Sequence, residues 1–433
     1  MKNKLKKDFF HSLIKQINEI NPKNTKEFWG SINNYKKKNN NCEPAISAKE
    51  WEIHYRNLLA SSNNDTTDTN QNIENKNHNF SNTSLNVPIT RKEIKNCIKK
   101  LKKGKSGGPD LIINEFLKVW SNTLVLLLTK LFNKIVNSEK FPKIWNISLL
   151  TSIYKSGDPS DCGNYRGISI TSCLGKVFTS ILQKRLSDFL ETHNLLSSNQ
   201  GGFRKNYRTV DHVFILKTII NKYLFKCKKK LYVCFVDFKK AFDSVWRSAM
   251  FLKLQNKEIQ GKFYYILHDM YSNTLYSCKY QNMFTKPFLA NQGVKQGDSL
   301  SPTLFNIFVD DIGKYLDTNL TSAVNLNGKK VNHLLYADDL LLISESADGL
   351  QNSLDSLQKY STEWKLDVNL KKTKIIIFSK IKVNKENFYF YYSSNAIEIV
   401  DCYKYLGVDF HSSGKFIQAV SSLSDKAKKH ILH

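Results

Sequence analysis

The sequence contains few of the features that mark fibrous, disordered or membrane-spanning chains. Glycine (18) and proline (8) are scarce among its 433 residues, which excludes a fibrous or wholly disordered chain. No stretch approaches the roughly 18 apolar residues of a spanning helix, and the basic start of the chain lacks a signal-peptide core. Without such segments, we expect an intracellular protein with no membrane partner. Its length and its 41% hydrophobic residues are enough for a large core and predict two or three subdomains.

Acidic residues are outnumbered, and cysteine motifs are absent. Lys and Arg total 65 against 38 Asp and Glu, and the net charge of +27 favours polyanions such as nucleic acid or an anionic membrane surface. The alternative is a lysine-rich solvated surface produced by a biased composition. None of the eight cysteines forms a Cys-x-x-Cys pair, which predicts reduced, mostly buried thiols rather than zinc ligands or disulfides.

The first 88 residues are predicted to stand apart from the main body of the chain. Residues 1–60 are typical of a basic helical extension with aromatic anchors at Phe28, Trp29 and Trp51. Residues 61–88 are Asn-rich and nearly free of aliphatic side chains, so they bury too little surface to offset chain entropy. We predict that they form a disordered linker.

Hydrophobic periodicity predicts the elements that follow. Thr90 and Glu93 form a capping-box pattern at the start of an amphipathic helix, and Gly104 is its expected C-terminal cap. The remaining patterns predict strands at 147–154 and 231–236, two strands within 332–344, and helices from Leu174, from Pro302 and over 350–364. Strands interleaved with helices indicate an α+β fold with helices packed against a sheet.

Two acidic sites follow apolar strands. Asp237 ends the run at 231–236, and Asp338 and Asp339 lie between two apolar strands. A carboxylate at the edge of a core is costly without a partner, and hard divalent cations are one natural partner. If the strands are neighbours, the three carboxylates converge as in sites that hold two cations roughly 3.5–4 Å apart. The alternative is that each aspartate caps a helix or shapes a turn.

A glycine-containing loop lies between the two acidic sites. Gly293 and Gly297 allow the backbone to approach a ligand closely, and the loop leads into the helix at Pro302, whose N-terminus favours anions. An ordinary entry into a helix would give the same pattern.

Seven short sequence blocks, in the order in which they follow one another along the chain, resemble the reverse transcriptases of LINE-type retrotransposons, which lack long terminal repeats. The resemblance covers about residues 90–410. The blocks are NYRGISI (164–170), QGGFRKNYRT (200–209), FVDFKKAFDSV (235–245), QGDSLSP (296–302), YADD (336–339), NLKKTK (369–374) and YKYLGVDF (403–410). The first two are similar to the family's finger motifs, although Gly167 replaces the proline that is common at that position.

The resemblance implies a right-hand polymerase fold. Its fingers would span 89–210 and its palm 211–380, while 381–433 would hold the primer-grip hairpin and the start of an incomplete thumb. The palm would be a split βαβ antiparallel sheet with helices packed on one face.

The resemblance also implies the chemistry. The enzyme would be an RNA-directed DNA polymerase that adds dNTPs to a primer 3′-hydroxyl. Two Mg²⁺ ions, or Mn²⁺ as the alternative, would be held by Asp237 and Asp338, with Asp339 as the adjacent carboxylate and the Phe238 carbonyl assisting. The partners would be an RNA template, a DNA primer or target, and dNTPs. The nucleus would be the site of action, with the cytoplasm as the alternative, and no oligomeric state is indicated.

Further roles are implied at positions that match the family's motifs. Lys155 and Arg166 would hold the incoming triphosphate, Phe242 would be the sugar gate, and Gln296 and Gly297 would line the nucleotide and template side. Lys372, or alternatively Lys374, would protonate pyrophosphate, and Leu406 and Gly407 would lie in the primer-grip turn.

Structural alternatives accompany these roles. The lysines could be solvated surface residues, and Phe242 could be a core residue. For Asp243 helix capping is favoured, and Asp298, Asp310 and Asp311 are read as caps or solvated helix residues rather than metal ligands.

Two competing functions stay open at this point. One is an intron-encoded reverse transcriptase with maturase activity, although no maturase-type thumb is visible. The other is a non-catalytic RNA-binding remnant of an inactive element, although Asp237, Asp338 and Asp339 are all present.

Overall fold

The computed structural model describes residues 46–60, 84–119, 121–280, 283–317, 322–417, 420–421 and 424. Its helices are α1 Ala48–Leu59, α2 Arg91–Lys100, α3 Asn114–Lys118, α4 Asn122–Ser138, α5 Lys143–Asn146, α6 Cys173–Thr192, α7 Thr209–Ile220, α8 Arg247–Asn256, α9 Lys262–Ser272, α10 Ser301–Val309, α11 Ile312–Leu316 and α12 Ala347–Trp364. Its strands are β1 Ile147–Tyr154, β2 Tyr165–Ile170, β3 Leu231–Val236, β4 Leu275–Tyr280, β5 Met283–Phe284, β6 Phe288–Leu289, β7 Val324–Leu326, β8 Lys329–Val331, β9 His333–Tyr336, β10 Asp339–Ser344, β11 Lys374–Phe378, β12 Tyr391–Tyr392, β13 Asn395–Ala396, β14 Cys402–Tyr405 and β15 Val408–His411.

A four-stranded antiparallel sheet in the order β11-β3-β10-β9 forms the centre of the molecule. Every residue of β3 is buried, as its continuous apolar sequence predicts. Side chains alternate between two cores, with Cys234 and Val236 on one face and Val233 and Phe235 on the other. The sheet is therefore covered on both sides.

Different elements cover the two faces of this sheet. Leu350, Leu354 and Leu357 of α12 pack into the larger core, which confirms the predicted helical layer. The opposite face is covered by helix α7, through Leu216 and Ile219 among others, and by the hairpin β14–β15. The prediction that helices pack on one face of the sheet is therefore wrong, since α7 lies on the other. The α+β class is confirmed.

A second, mixed sheet carries the NYRGISI block. Its central strand β1 pairs antiparallel with β2 and parallel with β4, and β4 pairs in turn with the short strands β5 and β6. Helix α1 packs against this sheet. Trp51 is buried there with its ring edge-on to Tyr165, and the Tyr55 hydroxyl lies 2.9 Å from the Ser152 hydroxyl. The predicted anchors Phe28 and Trp29 lie outside the described residues.

The predicted start of α2 is confirmed, but its predicted end is wrong. Both capping-box hydrogen bonds between Thr90 and Glu93 are present. The helix ends at Lys100 because Leu101 turns into an extended conformation and packs against the core. Gly104 lies beyond this point, and its N–H donates to the Glu115 carboxylate at 2.6 Å.

Residues 61–83 of the predicted linker lie outside the described part of the chain. The end of that segment packs onto the main body, since Leu85 is buried in the larger core. The seven cysteines within the described ranges are free thiols, as predicted, but only Cys173, Cys234 and Cys278 are buried, so the prediction that most are buried is wrong.

Candidate active site

Strand pairing brings the two acidic sites to one edge of the central sheet. Leu340 of β10 pairs with Val236 of β3, so the next positions along these antiparallel strands are Asp339 and Asp237. Asp338 occupies the tight turn between β9 and β10, as the sequence predicts. Ala337, just before it, has a φ of +58°, which closes the turn.

The charge of Asp237 is close enough to affect the other two carboxylates. Desolvation and the charge of Asp237 raise the pKa of Asp338 above its usual range. Asp339 is exposed at the surface, yet the surrounding protein and the charges of Asp338 and Asp237 raise its pKa to about 6. Mutual repulsion of this kind favours a cation at the edge of the sheet.

Asp237 has two further polar neighbours that the sequence did not reveal as a group. Its Oδ2 accepts a hydrogen bond from the Asn369 side-chain amide at 3.0 Å and lies 3.8 Å from the Lys372 ammonium. The Asn369 N–H also donates to the Asp237 carbonyl at 2.7 Å. The NLKKTK block thus fixes the orientation of Asp237.

The donor chemistry of this edge suits a hard divalent cation, because carboxylate oxygens are the ligands that such ions prefer. Within the described ranges, no three His, Cys, Asp or Glu side chains are close enough together to form a ready-made metal site. The three aspartates lie at one edge of the sheet and interact electrostatically, and their role as metal ligands stays a prediction.

A cavity of about 770 Å³ opens beside these aspartates. Most of the predicted site residues line it: Lys155, Arg166, Asp237, Phe238, Phe242, Gln296, Gly297, Asp338 and Lys372. They come from both sheets and from the glycine-containing loop, and residues separated by more than 200 positions share one wall. Asp339 does not line the cavity.

Five cationic side chains line this cavity: Lys155, Arg166, Lys239, Lys240 and Lys372. Lys155 directly follows β1, Arg166 lies in the paired strand β2, and both are exposed. Desolvation and the neighbouring charges of Arg166 and Lys372 lower the pKa of Lys155. Cations held at this density bind a polyphosphate well, since a bound anion would relieve their repulsion.

The Phe242 ring has one packed face and one face toward the cavity. It stacks on Phe305 with a centroid distance of 4.7 Å and an interplanar angle of 11°, and it contacts Phe203 edge-on at 6.1 Å. The residue is half-buried and lines the cavity. The geometry therefore accommodates both predicted roles, core packing and contact with a ligand.

The glycine-containing loop is attached to the second sheet. The Gln296 carbonyl accepts the Ser169 N–H at 2.7 Å. Gly297 has a φ of +110°, and a Cβ there would lie 3.0 Å from the Ser169 carbonyl oxygen. A residue without a side chain is needed at this contact, as the sequence predicted for a close approach.

The predicted capping role of Asp243 is wrong. Helix α8 begins at Arg247 with Trp246 at its cap and no side-chain capping bond. Asp243 instead lines the cavity and hydrogen-bonds to the Gln296 side chain, and burial raises its pKa to about 6. Its place in the FVDFKKAFDSV block was the signal in the sequence that it lies near the site.

Lys374 is not brought to the cavity. Its ammonium lies 2.6 Å from the Glu398 carboxylate, whereas Lys372 lies in the turn before β11 and reaches Asp237. Of the two lysines predicted for pyrophosphate, the structure therefore places only Lys372 at the site.

The other predicted acidic residues are tied to the protein. Asp298 is buried and accepts hydrogen bonds from the Leu300 N–H and the Thr179 hydroxyl, as a cap does. Asp310 and Asp311 are paired with Lys257 and Lys253, so they are not the solvated residues expected.

Leu406 and Gly407 form the two-residue turn of the hairpin β14–β15, with φ values of +46° and +88°. The hairpin packs behind the acidic edge, because Tyr403 stacks on Phe235 of β3 with a ring-centroid distance of 4.4 Å. Its primer-grip role stays a prediction.

Comparison with known proteins agrees with this geometry. The family model described as "Reverse transcriptase (RNA-dependent DNA polymerase)" matches residues 153–410, more than half of the chain. The probable RNA-directed DNA polymerase from transposon BS of Drosophila melanogaster is 31% identical over 66% of this chain and 32% of its own length. The RNA-directed DNA polymerase from mobile element jockey of Drosophila funebris is 27% identical over 79% of this chain and 37% of its own length.

The chain thus spans about a third of the length of these relatives. Among solved structures, apo telomerase from Candida tropicalis, truncated from its C-terminal domain, matches with a TM-score of 0.46 and 15% identity over 62% of this chain and 54% of that one. Across the residues that the structure describes, no helix has the length and apolar character to cross a membrane. With the family model covering the acidic edge, the cationic strands and the hairpin alike, the chain belongs to the reverse transcriptase family, as its seven blocks predicted.

Proposed function

We propose that this chain is the RNA-directed DNA polymerase core of a LINE-type retrotransposon and adds dNTPs to a primer 3′-hydroxyl. One observation carries the proposal: Asp237 and Asp338 share a single cavity with Lys155, Arg166 and Lys372. An acidic edge beside a cationic wall suits the joining of a polyphosphate substrate to a nucleic-acid end.

Asp237 and Asp338 would hold two Mg²⁺ ions, or Mn²⁺, with the Phe238 carbonyl assisting and Asp339 adjacent. When bound, divalent cations would supply Lewis acidity and neutralise charge on the phosphate oxygens. Reverse transcriptases in general use divalent metal ions.

The chain's own residues would bind and orient the substrate. Lys155 and Arg166 would hold the triphosphate by charge-assisted hydrogen bonds. Gln296 and Gly297 would line the nucleotide and template side, and Phe242 would face the sugar. Lys372, next to Asp237, would donate a proton to the leaving pyrophosphate.

The remaining assignments follow from the family. The partners would be an RNA template, a DNA primer or target, and dNTPs, with the Leu406–Gly407 turn against the primer. Residues 89–210 would form the fingers and residues 211–380 the palm. The nucleus would be the site of action.

Primer extension on an RNA template tests the proposal. The Asp338→Asn, Asp339→Asn double variant should lose at least about a hundredfold in rate, because it removes negative charge where the chemistry is assigned. The matched control is Asp310→Asn, Asp311→Asn, a second adjacent pair that lies outside the cavity; activity per folded molecule should persist. Extension by the first variant within a few-fold of wild type would contradict the proposal.

A further inference from the structure

The segment 199–202 lies against the catalytic turn rather than apart from it in the fingers. Leu335 of β9 donates its N–H to the Asn199 carbonyl at 2.9 Å and accepts the Gly201 N–H at 2.8 Å. Gln200 forms a parallel bridge with Leu335, so the segment extends the central sheet beyond β9. The sheet therefore ends in a piece of chain that comes from a different sequence block.

The side-chain amide of Gln200 brackets the backbone of Ala337. Its Oε1 accepts the Ala337 N–H at 2.9 Å and the Gly202 N–H at 2.7 Å, and its Nε2 donates to the Ala337 carbonyl at 3.3 Å. Gln200 is 1% exposed, so water does not compete for these bonds. Ala337 has the left-handed φ of +58°, which a non-glycine residue keeps only where its surroundings enforce it.

Gly202 completes the enclosure of the turn. A Cβ on Gly202 would lie 2.1 Å from the Ala337 nitrogen, a distance that no side chain tolerates. The Gly202 carbonyl accepts the Asn306 side-chain amide of α10 at 2.7 Å. The QGGFRKNYRT block, the YADD turn and the helix after the QGDSLSP loop thus meet at one point.

We propose that Gln200 is a positioning residue for polymerisation, holding the Ala337–Asp338 turn in the conformation that directs the Asp338 and Asp339 carboxylates toward Asp237. This role rests on the proposed function, since the turn carries the carboxylates to which the chemistry is assigned. Gln200 contacts no reacting atom; it acts through the Ala337 backbone. Without the bracket, Ala337 relaxes toward a negative φ and the peptide leading to Asp338 reorients. The chemical step then slows while substrate binding persists.

The test compares Gln200→Leu with Gln351→Leu. Gln351 makes the same pair of side-chain hydrogen bonds to the backbone of another residue, Tyr391, away from the cavity. Its Oε1 accepts the Tyr391 N–H at 2.9 Å, and its Nε2 donates to the Tyr391 carbonyl at 3.0 Å. Amide hydrogen exchange is followed in peptides covering 333–344 and 388–396, together with steady-state primer extension.

Gln200→Leu should raise exchange in the 333–344 peptide alone and lower kcat about ten- to hundredfold, with KM for dNTP changed less than about threefold. Gln351→Leu should raise exchange only in the 388–396 peptide and leave kcat within about twofold of wild type. A third variant, Gln200→Glu, is buried and therefore neutral at mildly acidic pH, so its carbonyl oxygen accepts both N–H groups and its O–H donates to the Ala337 carbonyl in place of Nε2. Compared at that pH, it should restore protection of the turn relative to Gln200→Leu.

Unchanged exchange in 333–344, an unchanged kcat, or no recovery of protection in Gln200→Glu would overturn the proposal. Loss of protection across the whole chain in both Gln200 variants would also overturn it, because Gln200 would then be a general core residue. If the wild-type chain does not extend a primer, the proposed function fails, yet the exchange measurements still decide whether Gln200 holds the turn.

Discussion

At the residue scale, Phe242 has two different environments, and they predict different phenotypes. Its stacked face contacts Phe305, and its other side borders the cavity. If the ring also meets the sugar of an incoming nucleotide, a ribose 2′-hydroxyl collides with it, and such overpacking costs roughly 1–3 kcal/mol. Phe242→Val should therefore raise the incorporation of rNTP relative to dNTP by about one to two powers of ten. The measurement is kcat/KM for one matched pair of nucleotides.

Phe305→Leu is the matched control, because Phe305 is fully buried and contacts Phe242 from the side away from the cavity. Loosening the packing alone should lower kcat/KM for the rNTP and the dNTP alike and leave the ratio of the two values unchanged. A Phe242→Val variant that melts normally and keeps the wild-type ratio would remove Phe242 from the sugar site.

Asp243 gives a prediction on pH and stability. Burial raises its pKa from 3.8 to about 6 in the folded protein. A raised carboxyl pKa contributes stability that is fully present below the unfolded value and is lost as pH rises through the folded value. Asp243→Asn cannot ionise, so its free energy of unfolding relative to wild type should increase by about 1–3 kcal/mol between pH 4 and pH 7. Denaturant titration at the two pH values measures this change.

Asp401 supplies a control of opposite sign. A hydrogen bond from Lys385 lowers the Asp401 pKa, so its contribution is present at neutral pH and is lost as pH falls through the folded value. Asp401→Asn should be less stable than wild type at pH 7, with a difference that shrinks in acid. If the stability of Asp243→Asn relative to wild type does not change with pH, while that of Asp401→Asn changes as expected, then Asp243 is not desolvated.

At the element scale, local signals were sufficient where neighbouring residues decide the conformation. The Thr90–Glu93 capping box, the apolar run of β3 and the paired strands around Asp338 all appear in short stretches of sequence, and the structure has them as predicted. Gly104 was misassigned because burial of Leu101, a tertiary effect, ends α2 earlier. The contact of Gln200 with Ala337 joins residues 137 positions apart, and no local periodicity encodes such a pair.

The same distinction divides the site residues. Asp237 and Asp338 follow from their places at strand ends, but the choice of Lys372 over Lys374 depends on where Glu398 lies. The orientation of Asp243 depends on Gln296, which comes from a distant loop. Residue types were therefore predictable from motifs, whereas partners required the packed sheet and loops.

At the scale of the whole molecule, the net charge of +27 is the feature that most directly predicts behaviour in solution. If the excess cations contact a nucleic-acid backbone, binding releases counterions, and each neutralised phosphate of a duplex contributes about 0.9 to the slope of log affinity against log salt concentration. We expect a slope of several units for an RNA–DNA primer–template, measured by filter binding between low and physiological salt. The Asp338→Asn, Asp339→Asn variant should give the same slope or a slightly steeper one, because it removes negative charge and leaves every cation in place. Affinity that does not change with salt would instead mean that the basic residues form a solvated surface, and the cationic wall of the cavity would then act on the nucleotide alone.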